Sequence, residues 1–188
     1  MSAVMGDQKT ADIAGKLENF GINPEETGRR IGKMFSDASK KGIAFSKYSE
    51  TFANNIKMAQ NYTFANGVKG VASMAEKATK LKLEMQSVAQ FAEKVNTVEG
   101  AITTGAKLQV LGGSFTQFAD PLQMLYEGTS DTEGLQDRII NMFGDLGRFN
   151  KLTGEVEVSA FDRQRIRAAG EAIGVNSAEL MDMIHAKG

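Results

Sequence analysis

The chain has 188 residues and contains no cysteine, no tryptophan, two prolines and one histidine. Without cysteine it can form neither a disulfide bond nor a thiolate metal site, and its redox compartment cannot be inferred. A single histidine, His185, excludes the common zinc sites, which combine several histidine or cysteine ligands. Its position near the end of the last predicted helix is typical of a solvated side chain close to the negative end of the helix dipole. We therefore expect no metal site and no cofactor.

Charge of either sign is not in excess, since 22 basic residues balance 23 acidic ones. A duplex nucleic-acid binder normally carries a basic excess, so we expect no specific nucleic-acid partner. No apolar run is long enough to span a membrane, and residues 1–10 lack the charged and apolar segments of a signal peptide. The sequence also lacks the GxGxxG, Walker A and GxSxG motifs. It therefore favours a protein that is not an enzyme.

Acidic side chains are densest in one group, formed by Asp120, Glu127, Asp131 and Glu133. A calcium-binding EF-hand needs alternating Asp or Asn residues in one loop with a Glu at its end, and this group lacks that pattern. We interpret the group as helix caps and surface charge.

Apolar residues recur at helical spacing along most of the chain. Helices are predicted over Asp12–Phe20, ended by Gly21, over Pro24–Lys41, capped by Asn23, and from Ser46, where Tyr48, Phe52, Ile56 and Ala59 form one stripe. Between Val68 and Gly112 the pattern fits either three short helices or one long kinked helix, and this alternative stays open.

The segment from Leu108 to Leu146 is the most specific part of the sequence. An apolar run stops at Gly112-Gly113, and Asp120-Pro121 starts a new helix. We predict a structural corner formed by Gly112, Gly113, Asp120 and Pro121, with a positive φ at one or both glycines. Ser130 and Glu133 predict a capping box for a helix over 131–146, with Gly147 as its C-cap. The buried face of that helix is predicted to carry Leu135, Ile139, Met142, Phe143 and Leu146.

One stretch, 149–158, has strand character, because Val156 and Val158 alternate with acidic residues and Thr153-Gly154 can turn. A helix capped by Ser159 follows, and its predicted apolar face carries Phe161, Ile166, Ala169 and Ile173. Asn176 with Glu179 is predicted to cap the last helix by a capping box, which makes 160–187 an αα-hairpin.

These patterns predict an all-α fold, a multi-helix assembly of short amphipathic helices with one small β-hairpin near 149–158. Three regions are expected: N-terminal helices over 1–65, a central helical region over 66–148 that contains the corner, and the hairpin with the αα-hairpin over 149–188. All three can also form one domain.

Two segments match short sequence patterns that recur in a known family. The first follows the pattern LQ-LGG-F---ADP---LY from Leu108 to Tyr126, and the second follows FN---GE from Phe149 to Glu155. With these motifs, the region 65–185 resembles a recurrent part of phage tail tape measure proteins, which are virion structural proteins.

The resemblance implies a largely helical protein that occupies the tail tube and whose length sets tail length during assembly. It implies the tail tube, a tail assembly chaperone and baseplate proteins as partners, together with self-association. The chain would be made in the bacterial cytoplasm and end in the virion tail. Because tape measure proteins usually contain many hundreds of residues, this chain is expected to be a segment of one or a short relative.

Two other functions are compatible with the sequence. One is a cytoplasmic helical adaptor or regulatory module that binds protein partners through a groove lined by Met and Phe. The other is a helical enzyme domain that uses carboxylates alone, and it ranks last because the chain offers so few catalytic groups.

Overall fold

The computed structural model describes residues 7–18, 23–64 and 66–188. Within these ranges the chain is an assembly of helices with one β-hairpin, so the predicted all-α fold is confirmed. The helices are α1 (Asp7–Glu18), α2 (Pro24–Lys40), α3 (Phe45–Asn55), α4 (Met58–Asn61), α5 (Val68–Leu81), α6 (Met85–Val95), α7 (Val98–Leu111), α8 (Ser114–Gln117), α9 (Pro121–Ser130), α10 (Thr132–Gly144), α11 (Ala160–Ile173) and α12 (Ser177–Lys187). The strands are β1 (Arg148–Asn150) and β2 (Glu155–Glu157).

The N-terminal helices follow the sequence signals in part. The predicted stripe from Tyr48 to Ala59 spans two helices, because α3 ends at Asn55 and α4 begins at Met58. Asn23 caps α2 by accepting a hydrogen bond of 2.9 Å from the backbone N–H of Glu25. Helix α1 begins five residues before the predicted start at Asp12, and the predicted end of that helix, Phe20-Gly21, lies outside the described residues. The Tyr48 hydroxyl donates to the carbonyl of Ala72 at 3.1 Å and thereby joins α3 to α5.

The open alternative between Val68 and Gly112 is settled in favour of three separate helices. Helix α5 ends at Leu81, and its C-cap Lys82 has a left-handed backbone with φ of 57°. Lys82 is the one non-glycine residue with positive φ in the described ranges. Helix α7 starts afresh because the Thr97 side chain caps it, accepting from the N–H of Gly100 at 3.1 Å.

One hydrophobic core runs through the molecule, from Ile13 on α1 to Ile184 on α12. It continues across the expected region boundaries at 65/66 and 148/149, with α3 and α12 both packed against α5. Most Met and Phe side chains with described burial belong to this core. In the same three ranges, none of the helices combines the length and the hydrophobicity that a membrane span requires.

Two predicted helix ends around α10 are wrong. Ser130 is the last residue of α9, and α10 is capped one position later by Asp131, whose side chain accepts from the N–H of Gly134 at 3.0 Å. The shorter link leaves only one residue between the two helices, so a capping box at Ser130 cannot form. Helix α10 ends at Gly144 with Asp145 as its C-cap, so Gly147 does not end it. Gly147 instead lies where a Cβ atom would meet Val156 and Ile184, at 2.6 and 2.7 Å.

The β-hairpin and the αα-hairpin have the predicted arrangement. Phe149 pairs with Val156 in the antiparallel ladder, and Ser159 caps α11 by accepting from the N–H of Asp162 at 3.0 Å. Phe161 does not belong to the buried face as predicted, since 69% of its surface is exposed. Asn176 caps α12, but Glu179 does not complete a capping box, because its carboxylate binds elsewhere.

Candidate functional site

The predicted corner between α7 and α9 has a backbone that glycine tolerates best. Gly112 has φ 65° and ψ −174°, and Gly113 has φ 59° and ψ −138°. The positive φ predicted at one or both glycines is therefore found at both. Such angles lie in or beside a region that is almost restricted to glycine. The chain then makes the single turn of α8 before it reaches the next helix.

Asp120 and Pro121 form the other side of the corner. The Asp120 carboxylate accepts hydrogen bonds from the N–H groups of Leu122, at 2.9 Å, and Gln123, at 3.2 Å. Pro121 occupies the first turn of α9, where its missing N–H costs nothing. The four residues predicted as a corner thus lie at the end of one helix and the start of another, joined by α8.

Arg165, on α11, holds the glycine side of the corner. Its guanidinium donates to the carbonyl of Leu111 at 3.0 Å and to the carbonyl of Gly112. Both carbonyls belong to the end of α7, where helix geometry leaves them without partners in their own helix. Asp162 lies 3.2 Å from the same guanidinium, which partly neutralises its charge.

Aromatic rings complete the surroundings of Arg165. The guanidinium carbon lies 4.8 Å from the ring centre of Phe115 and 5.4 Å from that of Phe161. Phe115 is fully buried and meets Phe143 edge to face, with ring centres 5.5 Å apart. Cation–π contacts of this kind are worth about 0.5–2 kcal/mol each. The partly exposed position of Phe161 is therefore explained by its contact with Arg165.

A buried ion pair joins α9 to α10. Glu127 and Arg138 are 6% and 5% exposed, and two hydrogen bonds of 2.5 and 2.9 Å join the carboxylate to the guanidinium. Arg138 also donates to the carbonyl of Phe118 at 2.8 Å, and Gln123 donates to Glu127 at 3.1 Å. The pair therefore fastens α9 to α10 and to the end of α8. Glu127 is buried, so our interpretation of this residue as surface charge is wrong.

Helix α9 reaches its place because two glycines let it approach its neighbours. A Cβ atom on Gly105 of α7 would lie 2.7 Å from the carbonyl oxygen of Ala119. A Cβ atom on Gly128 of α9 would lie 2.8 Å from a methyl of Val95. Contacts this short leave no room for a side chain. The two glycines therefore set the packing distance of α9 against α6 and α7.

The four acidic residues of the densest group have different structural roles. Asp120 and Asp131 cap helices, Glu127 pairs with Arg138, and Glu133 accepts from the side chain of Asn66 at 2.9 Å. Across the described part of the chain, no three His, Asp or Glu side chains are arranged to hold a metal ion. His185, the one histidine, is exposed on α12.

A groove of about 490 Å³ lies between α3 and the turn from α5 to α6. Its charged lining alternates in sign, with Lys47 and Lys82 beside Glu50 and Glu84. Glu179 of α12 accepts from the N–H of Glu84 and from the Ser87 hydroxyl, both at 2.6 Å. Burial raises the pKa of the Glu179 carboxyl, and these two hydrogen bonds lower it by less. The carboxylate thus caps α6 from another helix.

The sequence did not reveal Arg165, Arg138 or Glu179 as positioning residues. Their partners lie 54, 11 and 95 residues away in the chain, at Leu111, Glu127 and Glu84. Periodicity and capping rules read neighbours within about one helical turn, so they carry no signal for such pairs. The one clue in the sequence is that the last carbonyls of α7 need a hydrogen-bond donor from outside their own helix.

Chemically, the corner fixes shape. Its carbonyls, its aspartate and its arginine are engaged with one another, and the buried carboxylate is paired with a guanidinium. Such an arrangement positions helices, and it offers no nucleophile beside a base. In comparisons with known proteins, the chain matches no family model, no curated protein and no solved structure.

Proposed function

We propose that this chain is a structural module of a phage tail and corresponds to part of a tape measure protein or to a short relative. The proposal rests first on the two sequence motifs from Leu108 to Tyr126 and from Phe149 to Glu155. These motifs coincide with two distinct features, the corner between α7 and α9 and the β-hairpin.

The observation that carries the proposal is what the motif residues do. Leu108, Phe115 and Ala119 are buried, Gly112 and Gly113 turn the backbone, and Asp120 caps a helix. In the second motif, Asn150 pairs with Glu155 across the ladder, and Gly154 has φ of 72° in the turn. A motif whose residues serve packing and turns indicates a structural protein, because a catalytic motif would present reactive side chains.

A compact module fits this role better than the extended ruler does. The longest helix in the described ranges is α2, with 17 residues, which corresponds to about 26 Å at 1.5 Å per residue. The same 188 residues in one helix would span about 280 Å. The proposal is therefore that this segment folds as an ordered unit within the tail, while other parts of the tape measure act as the ruler.

Deletion in the phage tests the proposal. We expect purified tails to contain peptides of this chain, and an in-frame deletion of the segment coding for 66–188 to block or impair tail assembly. Tails that still form should shorten by much less than about 1.5 Å per deleted residue, because a folded module is not extended. Replacement of the exposed Leu152 by Ala is the matched control and should leave tails normal.

Intact, infectious virions without the segment would contradict the proposal, as would the absence of its peptides from purified tails. The adaptor alternative predicts that second result, with the chain recovered in host protein complexes. Its expected groove lined by Met and Phe has no counterpart among the side chains whose burial is described, where the exposed large hydrophobic residues include no Met.

A further inference from the structure

Helix α7 is apolar on two faces, and only one of them contacts the rest of the chain. The face toward the core carries Ala101, Thr104, Gly105 and Leu108. The opposite face carries an exposed row at intervals of four residues, which we call the α7 stripe: Val98, Ile102, Ala106 and Val110. A helix with apolar residues on both sides is normally covered on both. No part of the chain that the structure describes covers the α7 stripe.

The exposure of the α7 stripe is large. Val98, Ile102 and Val110 keep 60%, 54% and 87% of their surface in contact with solvent. Helix α9, which packs against α7, also carries two exposed apolar side chains, Leu122 at 76% and Tyr126 at 59%. A row of exposed apolar side chains along one helix marks an interaction site more often than isolated residues do.

Two charges on α7 indicate what covers the stripe. Glu99 and Lys107 are exposed and lie on the same side of the stripe, eight residues apart, or about 12 Å along the helix. Neither Glu99 nor Lys107 is among the ion pairs found in the described part of the chain. An antiparallel copy of the same helix would bring Lys107 of one molecule close to Glu99 of the other, and the reverse pair would form at the other end.

We infer that a second copy of this chain covers the α7 stripe through a two-fold, antiparallel pairing of α7. In this register Val98 of each copy faces Val110 of the other, and Ile102 faces Ala106. Rows at intervals of four residues are the ridges that pack into one another at the commonest helix crossing angle. A two-fold contact presents the same patch on both partners, so each copy supplies both an acid and a base.

The contact is small. With 14 residues, α7 is about 21 Å long, and a single pair of such helices buries less area than a permanent dimer interface. The expected assembly is therefore a reversible dimer whose fraction rises with protein concentration. This inference does not depend on the proposed function in the phage tail.

Charge reversal with mixing tests the inference in the full-length chain. We expect Glu99→Lys alone and Lys107→Glu alone each to weaken dimerisation about tenfold, because like charges then meet at both ends. A mixture of the two variants should dimerise as the wild type does, since every facing pair is again opposite in charge. Sedimentation equilibrium over a concentration series measures all three.

Replacement of the stripe provides the second arm. Val110→Asp should abolish dimerisation, and Leu152→Asp, at the exposed hairpin tip, should leave it unchanged. Circular dichroism melts check that both variants fold. A chain that stays monomeric at every concentration overturns the inference, and the stripe then belongs to a different partner. Dimerisation that survives Val110→Asp, or variants that fail to recover on mixing, overturns the antiparallel α7 contact as well.

Discussion

Replacement of Gly113 by Ala should destabilise the fold more than the same replacement at its neighbour Gly112. At φ 59° and ψ −138° an alanine is strained, and such backbone strain costs about 1–3 kcal/mol. The added Cβ atom would also lie 2.5 Å from a guanidinium nitrogen of Arg165. That nitrogen binds the carbonyl of Gly112, so its displacement weakens a charged hydrogen bond worth roughly 1.5–3 kcal/mol.

Gly112→Ala provides the comparison within the same turn. Gly112 has an equally unfavourable backbone for alanine, but a Cβ atom there meets nothing within 4 Å. Its cost should be the strain alone, about 1–3 kcal/mol, and thus smaller than that of Gly113→Ala by about 1–2 kcal/mol. Gly42→Ala, at φ 76° with open space around it, controls for positive φ away from the corner.

Removal of Arg165 isolates the contribution of the contact. In an Arg165→Ala background the guanidinium is gone, so Gly113→Ala should cost no more than Gly112→Ala does. Urea unfolding followed by circular dichroism gives the free energies, provided that the slope against urea stays constant. Wild-type midpoints for both alanine variants would mean that the doublet is a loose linker. An equal cost of Gly113→Ala with and without Arg165 would refute the role of the contact.

Three further predictions concern other parts of the molecule. Glu127→Leu should destabilise the fold by about 3–5 kcal/mol because it leaves Arg138 buried and unpaired, and Glu127→Leu with Arg138→Met should recover much of that loss in thermal melts. Lys82→Gly should raise the free energy of unfolding by about 0.5–1 kcal/mol, because it removes the strain of a left-handed backbone at a lysine. The urea midpoint should rise accordingly, and a lowered midpoint would contradict this. Burial raises the pKa of the Glu179 carboxyl in the folded state, so its contribution to stability is present below the ordinary glutamate pKa and is lost as the pH rises through the folded pKa. The stability of the wild type relative to Glu179→Gln should therefore fall as the pH rises above the usual titration range of a glutamate carboxyl, and a difference independent of pH would refute the shift.

Local signals in the sequence were sufficient for most of the fold. Asn23, Asp120 and Ser159 each cap a helix through their own side chain, and the pattern around Val156 locates the hairpin. Capping and strand alternation depend on residues within one turn, so a single sequence contains them. A local signal does not decide between two neighbouring candidates for the same helix start. Ser130 and Asp131 are both good caps, and Asp131 is the one that the structure uses.

The candidate site was predictable in its backbone and not in its contacts. Two adjacent glycines after an apolar run indicate a positive φ from sequence alone, as found at Gly112 and Gly113. Arg165, which binds that turn, is not distinguished in the sequence from the other arginines of the chain. Only the three-dimensional path of α11 shows that it reaches the end of α7. Pairs that close long loops have no local pattern by which to find them.

The bond from Arg165 to Leu111 also sets an order of events during synthesis. A chain leaves the ribosome from its N-terminus at about 5–20 residues per second. The end of α7 is made 54 residues before the arginine that satisfies its carbonyls, a delay of about 3–11 seconds. During that interval water alone can satisfy these groups, and the apolar surface around Phe115 waits for its cover. The corner is therefore completed late, and truncation before α11 would leave these carbonyls without the guanidinium of Arg165.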